Sequence, residues 1–145
     1  MKTLGWIGIL AAGVALIAAA AQAQSTKTPE QRRAHDAARL TGPVNQTNRE
    51  CGTSITASFD WTGVNEDDLI TQSANGWCES ALEGIRHVCG DAPGKDAVKE
   101  KIKSVTCGFG PERGISLKDG TVNFTISFKS ANDADFVFES LENAL

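Results

Sequence analysis

Residues 76–89 read GWCESALEGIRHVC, and their pattern decides how the rest of the chain is organised. Cys78, Leu82, Ile85 and Cys89 recur at i, i+4, i+7 and i+11, which puts all four on one face of an α-helix. Glu79, Glu83 and Arg86 fall on the other faces, toward water. Gly90 and Pro93 follow and end the helix. At 1.5 Å of rise per residue the two thiols stand roughly 16 Å apart. A disulfide needs Cα atoms within about 7 Å. Cys78 and Cys89 therefore neither bond to each other nor ligate one metal, and each must reach a different part of the molecule.

The flanking sequence supplies the candidates. In residues 51–61, CGTSITASFDW, apolar and polar side chains alternate with a period of two, the pattern of a half-buried strand. Residues 103–109, KSVTCGF, turn Val105, Cys107 and Phe109 inward, and a short strand carries Ile115 and Leu117. Asp119-Gly120 then forms a two-residue hairpin turn into TVNFTISFK, with Val122, Phe124, Ile126 and Phe128 inward. A second short helix offers Val98 and Ile102. A last helix opens near Asn132, with Asp135 in the capping-box position, and its face is Ala134, Val137, Phe138, Leu141 and Leu145. The order β-α-α-β-β-β-α predicts an α+β domain: a four-stranded, largely antiparallel sheet with helices packed on one face.

All four cysteines thus point at one helix–sheet interface. If the first strand runs out from Cys51 and the helix returns, Cys89 comes back beside Cys51 and leaves Cys78 for Cys107. The expected bridges are Cys51–Cys89 and Cys78–Cys107, with Cys51–Cys78 and Cys89–Cys107 as the alternative. An even cysteine count without C-x-x-C spacing fits structural disulfides formed in an oxidising compartment.

The start of the chain predicts the route to that compartment. Lys2, an 18-residue apolar run from Leu4 to Ala21 and the small-x-small site Ala21-Gln22-Ala23 read as a secretory signal over residues 1–23. A run of this length could also be kept as an anchor. Its alanines and glycines, and the cleavage site that closes it, favour removal and a secreted or periplasmic protein. Residues 24–50 then read as a polar, loosely structured tail. It contains one short helix that starts at Thr28-Pro29-Glu30-Gln31 and stops at Thr41-Gly42-Pro43. The domain proper is residues 51–145.

Charge divides along the same line. Residues 24–49 carry a net +3, while residues 50–145 carry eight Lys or Arg against sixteen Asp or Glu. An acidic domain does not attract nucleic acid or an anionic membrane through its overall field, so neither is expected as a partner once the signal is removed.

Motifs for chemistry are sparse, and the sequence calls for no cofactor. His35 and His87 stand apart, and His87 lies about 200° round the helix from Cys89. Asp60, Glu66 and Asp67 could form a carboxylate site. Asn65-Glu66-Asp67-Asp68 reads better as an acidic first helical turn, with Asn65 as the cap. Gly108, Gly110 and Gly114 lead into a strand, not into the helix that a phosphate loop requires. What stands out is the outward face of the strands, with Ser54, Thr56, Ser58, Thr121, Asn123, Thr125 and Ser127. This nearly uncharged run of hydroxyls and amides could bind sugar or protein. Trp61 and Trp77 line the loop-side end of the core, and Phe136 lies off its helix's main face. The expected role is non-enzymatic contact with an unknown protein or surface. The alternatives are a small-ligand carrier with an apolar pocket between helices and sheet, and an enzyme using Asp60, Glu66 and Asp67.

Overall fold

The computed structural model describes residues 27–145, so the expected signal over 1–23 lies outside the described residues. Two helices come first, α1 (Pro29–Arg39) and α2 (Thr41–Cys51). Then follow β1 (Thr56–Phe59), the single turn α3 (Asp68–Thr71), α4 (Ala74–Val88) and α5 (Ala92–Lys101). Strands β2 (Ser104–Phe109), β3 (Gly114–Lys118) and β4 (Thr121–Ile126) and helix α6 (Asp133–Glu142) complete the chain.

The helix in the opening stretch is α4, and its apolar face is buried: Cys78, Leu82 and Ile85 are 0% exposed. Its neighbour α6 approaches closely at Gly84. A Cβ built there would lie 2.6 Å from the Ala134 carbonyl oxygen and 2.7 Å from the Val137 side chain. Opposite the helices, Val105, Cys107, Val122, Phe124 and Ile126 turn inward from β2 and β4 and are at most 1% exposed. Removing each such side chain from water is worth about 1.5–3 kcal/mol.

The two disulfides join Cys51 to Cys89 and Cys78 to Cys107, with Cα–Cα distances of 5.4 and 5.8 Å. The pairing is the expected one, but Cys51 is not on the first strand. It closes α2, and Gly52 turns the chain out of that helix at φ 67°. The Asn48 side chain then ties the exit together. Its Oδ1 accepts from the Ile55 N–H at 2.7 Å and from the Thr53 hydroxyl at 2.8 Å, and its Nδ2 donates to the Ile55 carbonyl. One bridge thus joins the C-terminal ends of two helices, and the other joins the first turns of α4 to the middle of β2.

The sheet order is β1-β2-β4-β3, and the expectation of a largely antiparallel sheet is corrected to a mixed one. β1 pairs parallel with β2, and β2 parallel with β4; only the β3–β4 hairpin is antiparallel. The reason lies in the connections. Three helices between β1 and β2 form a crossover, which returns the chain to start a parallel strand. β3 skips one position, and the Asp119-Gly120 turn, with both residues at positive φ, brings β4 back into the gap.

Residues 29–50, expected within a loose tail, lie in two helices fastened to the domain by the Cys51–Cys89 bridge, by buried Leu40 and by polar contacts. The Thr28–Gln31 capping box is present. Thr41-Gly42-Pro43, read as a stop, instead opens α2, where proline's missing N–H costs no helical bond. Asp36 on α1 is buried and caps a different helix. Its Oδ2 accepts from the Ala74 N–H at 2.9 Å, and its Oδ1 accepts from the Ser73 hydroxyl at 2.6 Å. The Asn75 amide nitrogen faces both Ser73 and Asp36. Arg33 on α1 pairs with Glu66 and lies 5.8 Å from the centre of the Trp61 ring. On the next helix, Thr47 accepts a hydrogen bond from Arg86 of α4.

Two consequences can be measured. Removing Cys51–Cys89 as the Cys51→Ala/Cys89→Ala pair should cost about 2–5 kcal/mol in denaturant unfolding. Asp36→Ala should cost about 1–3 kcal/mol, because a distant cap is lost and buried donors are stranded. Hydrogen exchange should show α1 losing protection first in that variant.

Candidate functional site

The pairing registers define one continuous surface. Thr56, Ser104, Thr121 and Lys118 stand side by side across the four strands, and so do Ser58, Thr106, Asn123 and Ser116. Gly108, Thr125 and Gly114 form a third, shorter row. All eleven are exposed or half-exposed, and Lys118 is the single charge among them. The Ser104 and Thr121 hydroxyls share a hydrogen bond of 2.9 Å, which pins two neighbours together on the face.

Five of the seven outward residues singled out from the sequence lie on this face: Thr56, Ser58, Thr121, Asn123 and Thr125. Ser54 is exposed but precedes β1, so it belongs to the strand's approach. Ser127 is corrected to the interior. β4 ends at Ile126, the alternation breaks, and Ser127 is buried with its hydroxyl donating to the Pro111 carbonyl at 3.1 Å. The sequence reading missed Ser104 and Thr106 of β2 and Ser116 of β3. Their signal was present as the polar half of the same alternation that marked Val105, Cys107 and Leu117 as inward.

At the carboxyl ends of the three parallel strands the side chains change character. Phe59 and Trp61 lie 4.5 Å apart by ring centroids, Trp61 stacks on Phe109 at 5.4 Å, and Phe109 meets Phe128 at 5.9 Å. Trp77 of α4 sets its edge against Phe128 at 5.8 Å. Phe109 and Phe128, with Asn65, Asp68, Gln72 and Lys129 among their neighbours, line a cleft of about 300 Å³. This is the end of an open sheet where α/β proteins place ligands. A larger groove of about 440 Å³ lies on the surface, where His87 and Phe138 face the start of α5. Phe136 is half-buried and sits under Arg113, 4.4 Å from its ring centre. At the start of α6 the capping box expected with Asp135 does not form: Asn132 makes no side-chain cap bond, and the buried Asp133 accepts instead from the Ser130 hydroxyl and Arg113.

Asp60, Glu66 and Asp67 each have their own hydrogen-bond or ion-pair contacts. Asp60 is exposed just past β1; hydrogen bonds from Thr62, first its hydroxyl and then its backbone N–H, hold the carboxyl below the ordinary carboxylate range. That leaves Asp60 ionised near neutrality. Glu66 is engaged by Arg33, while exposed Asp67 gives its backbone N–H to the Asn65 side chain at 3.1 Å. His35 lies 3.6 Å from Asp36, and His87 pairs loosely with Glu83 at 3.9 Å. Among the described residues every cysteine is in a disulfide, and no group of three His, Cys, Asp or Glu could hold a metal ion. No helix among them is long and apolar enough to cross a membrane.

Compared with protein-family models, curated proteins and solved structures, the chain matches none of them.

Thr106 is half-exposed and Asn123 exposed, and the two are direct neighbours across β2 and β4. The Thr106→Lys/Asn123→Lys pair, which sets two like charges side by side, should cost no more than about 2 kcal/mol in unfolding free energy. A larger loss on chemical unfolding would mean that the face is part of the core.

Proposed function

We propose that the protein is exported and acts without catalysis, as a binding domain whose open sheet face is covered by a partner. One observation carries this reading: three parallel strands leave one face wet. Parallel pairs are ordinarily covered on both sides, because their crossover helices fall on both faces. Here the helices lie on one side, and the other carries hydroxyls, an amide and glycines with a single charge. Depletion of charge distinguishes the buried centre of protein interfaces from the rest of a surface. The apolar stretch Leu4–Ala21, its closing Ala-Gln-Ala and the two disulfides support export, since such bonds persist in oxidising compartments.

The aromatic cleft favours one second reading, a carrier for a small ligand with a flat apolar face. Its volume of about 300 Å³ sits at the lower limit for small-molecule pockets.

Affinity capture from the native exported fraction separates the two. The contact reading expects a partner retained by the wild-type chain and lost by Thr106→Lys/Asn123→Lys. A partner bound equally by both forms overturns it. A small molecule that co-purifies, seen by native mass spectrometry and lost on Phe109→Ala, would establish the carrier instead.

A further inference from the structure

We infer that the groove between the end of α4, the start of α5 and the end of α6 binds a small organic cation, an ammonium group on an aromatic or aliphatic body. The groove shares no residue with the open face or the aromatic cleft and depends on neither reading given above. It exists because of how three helix ends meet. Cys89, which closes α4, is held by its bridge to Cys51. Just beyond, Gly94 lets α5 start against that end, since a Cβ there would collide with the Val88 carbonyl oxygen. α6 brings in Phe138, whose ring meets His87 edge to face at 6.1 Å. The space left among them is about 440 Å³, within the range of small-molecule pockets. Val88, Pro93, Ala97, Phe138 and Leu145 supply apolar walls.

Charge names the occupant. Asp91 and Glu142 line the groove. Asp91 uses Oδ1 to accept from the Gly94 N–H at 2.7 Å, which caps α5. Neither Asp91 nor Glu142 is paired with a cation among the described residues. Asp135, Phe138, Glu139 and Glu142 recur at i, i+3, i+4 and i+7, so two more exposed carboxylates share the Phe138 side of α6. Exposed Asp96 and Glu100 flank Ala97 on α5, and Glu83 lies 3.9 Å from His87 on α4. The cations of these helices are turned elsewhere or occupied. Arg86 faces Glu50 at 3.7 Å, the Lys95 and Lys99 chains lie over Gly52, and Lys103, just past α5, donates to the Lys99 carbonyl. Lys101, on the Ala97 side of α5, donates to the Leu145 carbonyl. α6 contains no Lys or Arg. A concave site with apolar walls and one sign of charge around it concentrates ligands of the opposite sign, and the walls select an apolar body.

The probe is tryptamine, titrated into the full isotopically labelled protein at low salt and about pH 8, where ordinary imidazoles are neutral and amines charged. Amide shifts should centre on Gly90, Gly94, Ala97 and Phe138. Two near-isosteres isolate the charge. Tryptophol, with a hydroxyl in place of the ammonium, should bind about fivefold or more weaker, and indole-3-propionate weaker still. Asp91→Asn/Glu142→Gln keeps a capping oxygen at 91 and removes both charges. It should shrink the preference for tryptamine over tryptophol to within about twofold and leave tryptophol affinity unchanged. Loosening of the helix ends would weaken both probes alike and leave that ratio as it was. Four outcomes overturn the inference: no saturable tryptamine binding, equal affinity for tryptamine and tryptophol, an unchanged preference in the double variant, or shifts centred on Phe109 and Phe128. Tighter binding of doubly capped lysine than of tryptamine would assign the groove to a peptide side chain. A dimer of the protein alone that tryptamine dissociates in sedimentation would assign it to a second copy. Either result overturns the inference too.

Discussion

The rigidity of α4 is the constraint on which the rest of the molecule depends. A continuous helix holds Cys78 and Cys89 too far apart to meet, so its two ends must be fastened to different partners. Cys78 reaches β2 and sets the helix over the sheet; Cys89 reaches the end of α2 and brings the two helices side by side. Gly84, between the two anchors, lets α6 approach until backbone and side chain touch where a larger residue would stand. Strand, helix and helix are thus positioned by one element fixed at three points along its length. The core of Val105, Val122, Phe124, Val137 and Leu141 fills the space this arrangement encloses.

The parts that were legible in the sequence are those in which burial follows a period. Leu82 and Ile85 mark α4, Val105 and Cys107 mark β2, and Asp119-Gly120 marks the hairpin, because each is a local pattern with a local cause. Strand direction is a property of the connection. Nothing in Thr56–Phe59 or Ser104–Phe109 says that they run parallel; that follows from the helices between them. The attachment of α1 was illegible for a different reason. Its interface is made by a capping carboxylate, a cation over an indole and few apolar atoms, and no periodicity reports such contacts. Asp36 looks like any surface acid until Ser73 and Ala74 arrive beside it. The open face was half legible: alternation identified its members on β4, while the strand order that sets Thr106 between Ser58 and Asn123 had to come from the structure.

Three chemical characters are kept apart on this small molecule. The sheet's open side is neutral and hydroxyl-rich, the carboxyl ends of its parallel strands are aromatic, and α6 is acidic. Their separation follows from the layers. One side of the sheet carries no helix, the strand ends receive the residues that close the core, and the exposed face of α6 needs only to be hydrated.

The order of the sulfur links along the chain has a further effect. The first cysteine joins the third and the second joins the fourth, so the two covalent loops overlap, and the segment they share is α4. A single peptide-bond cleavage anywhere between Cys51 and Cys107 leaves two fragments still connected through at least one bridge. That span includes residues 60–67, the longest stretch after Cys51 without helix or strand, whose exposed Thr62, Gly63, Asn65 and Asp67 are the kind of backbone that proteases reach. A nicked copy therefore keeps both pieces covalently joined.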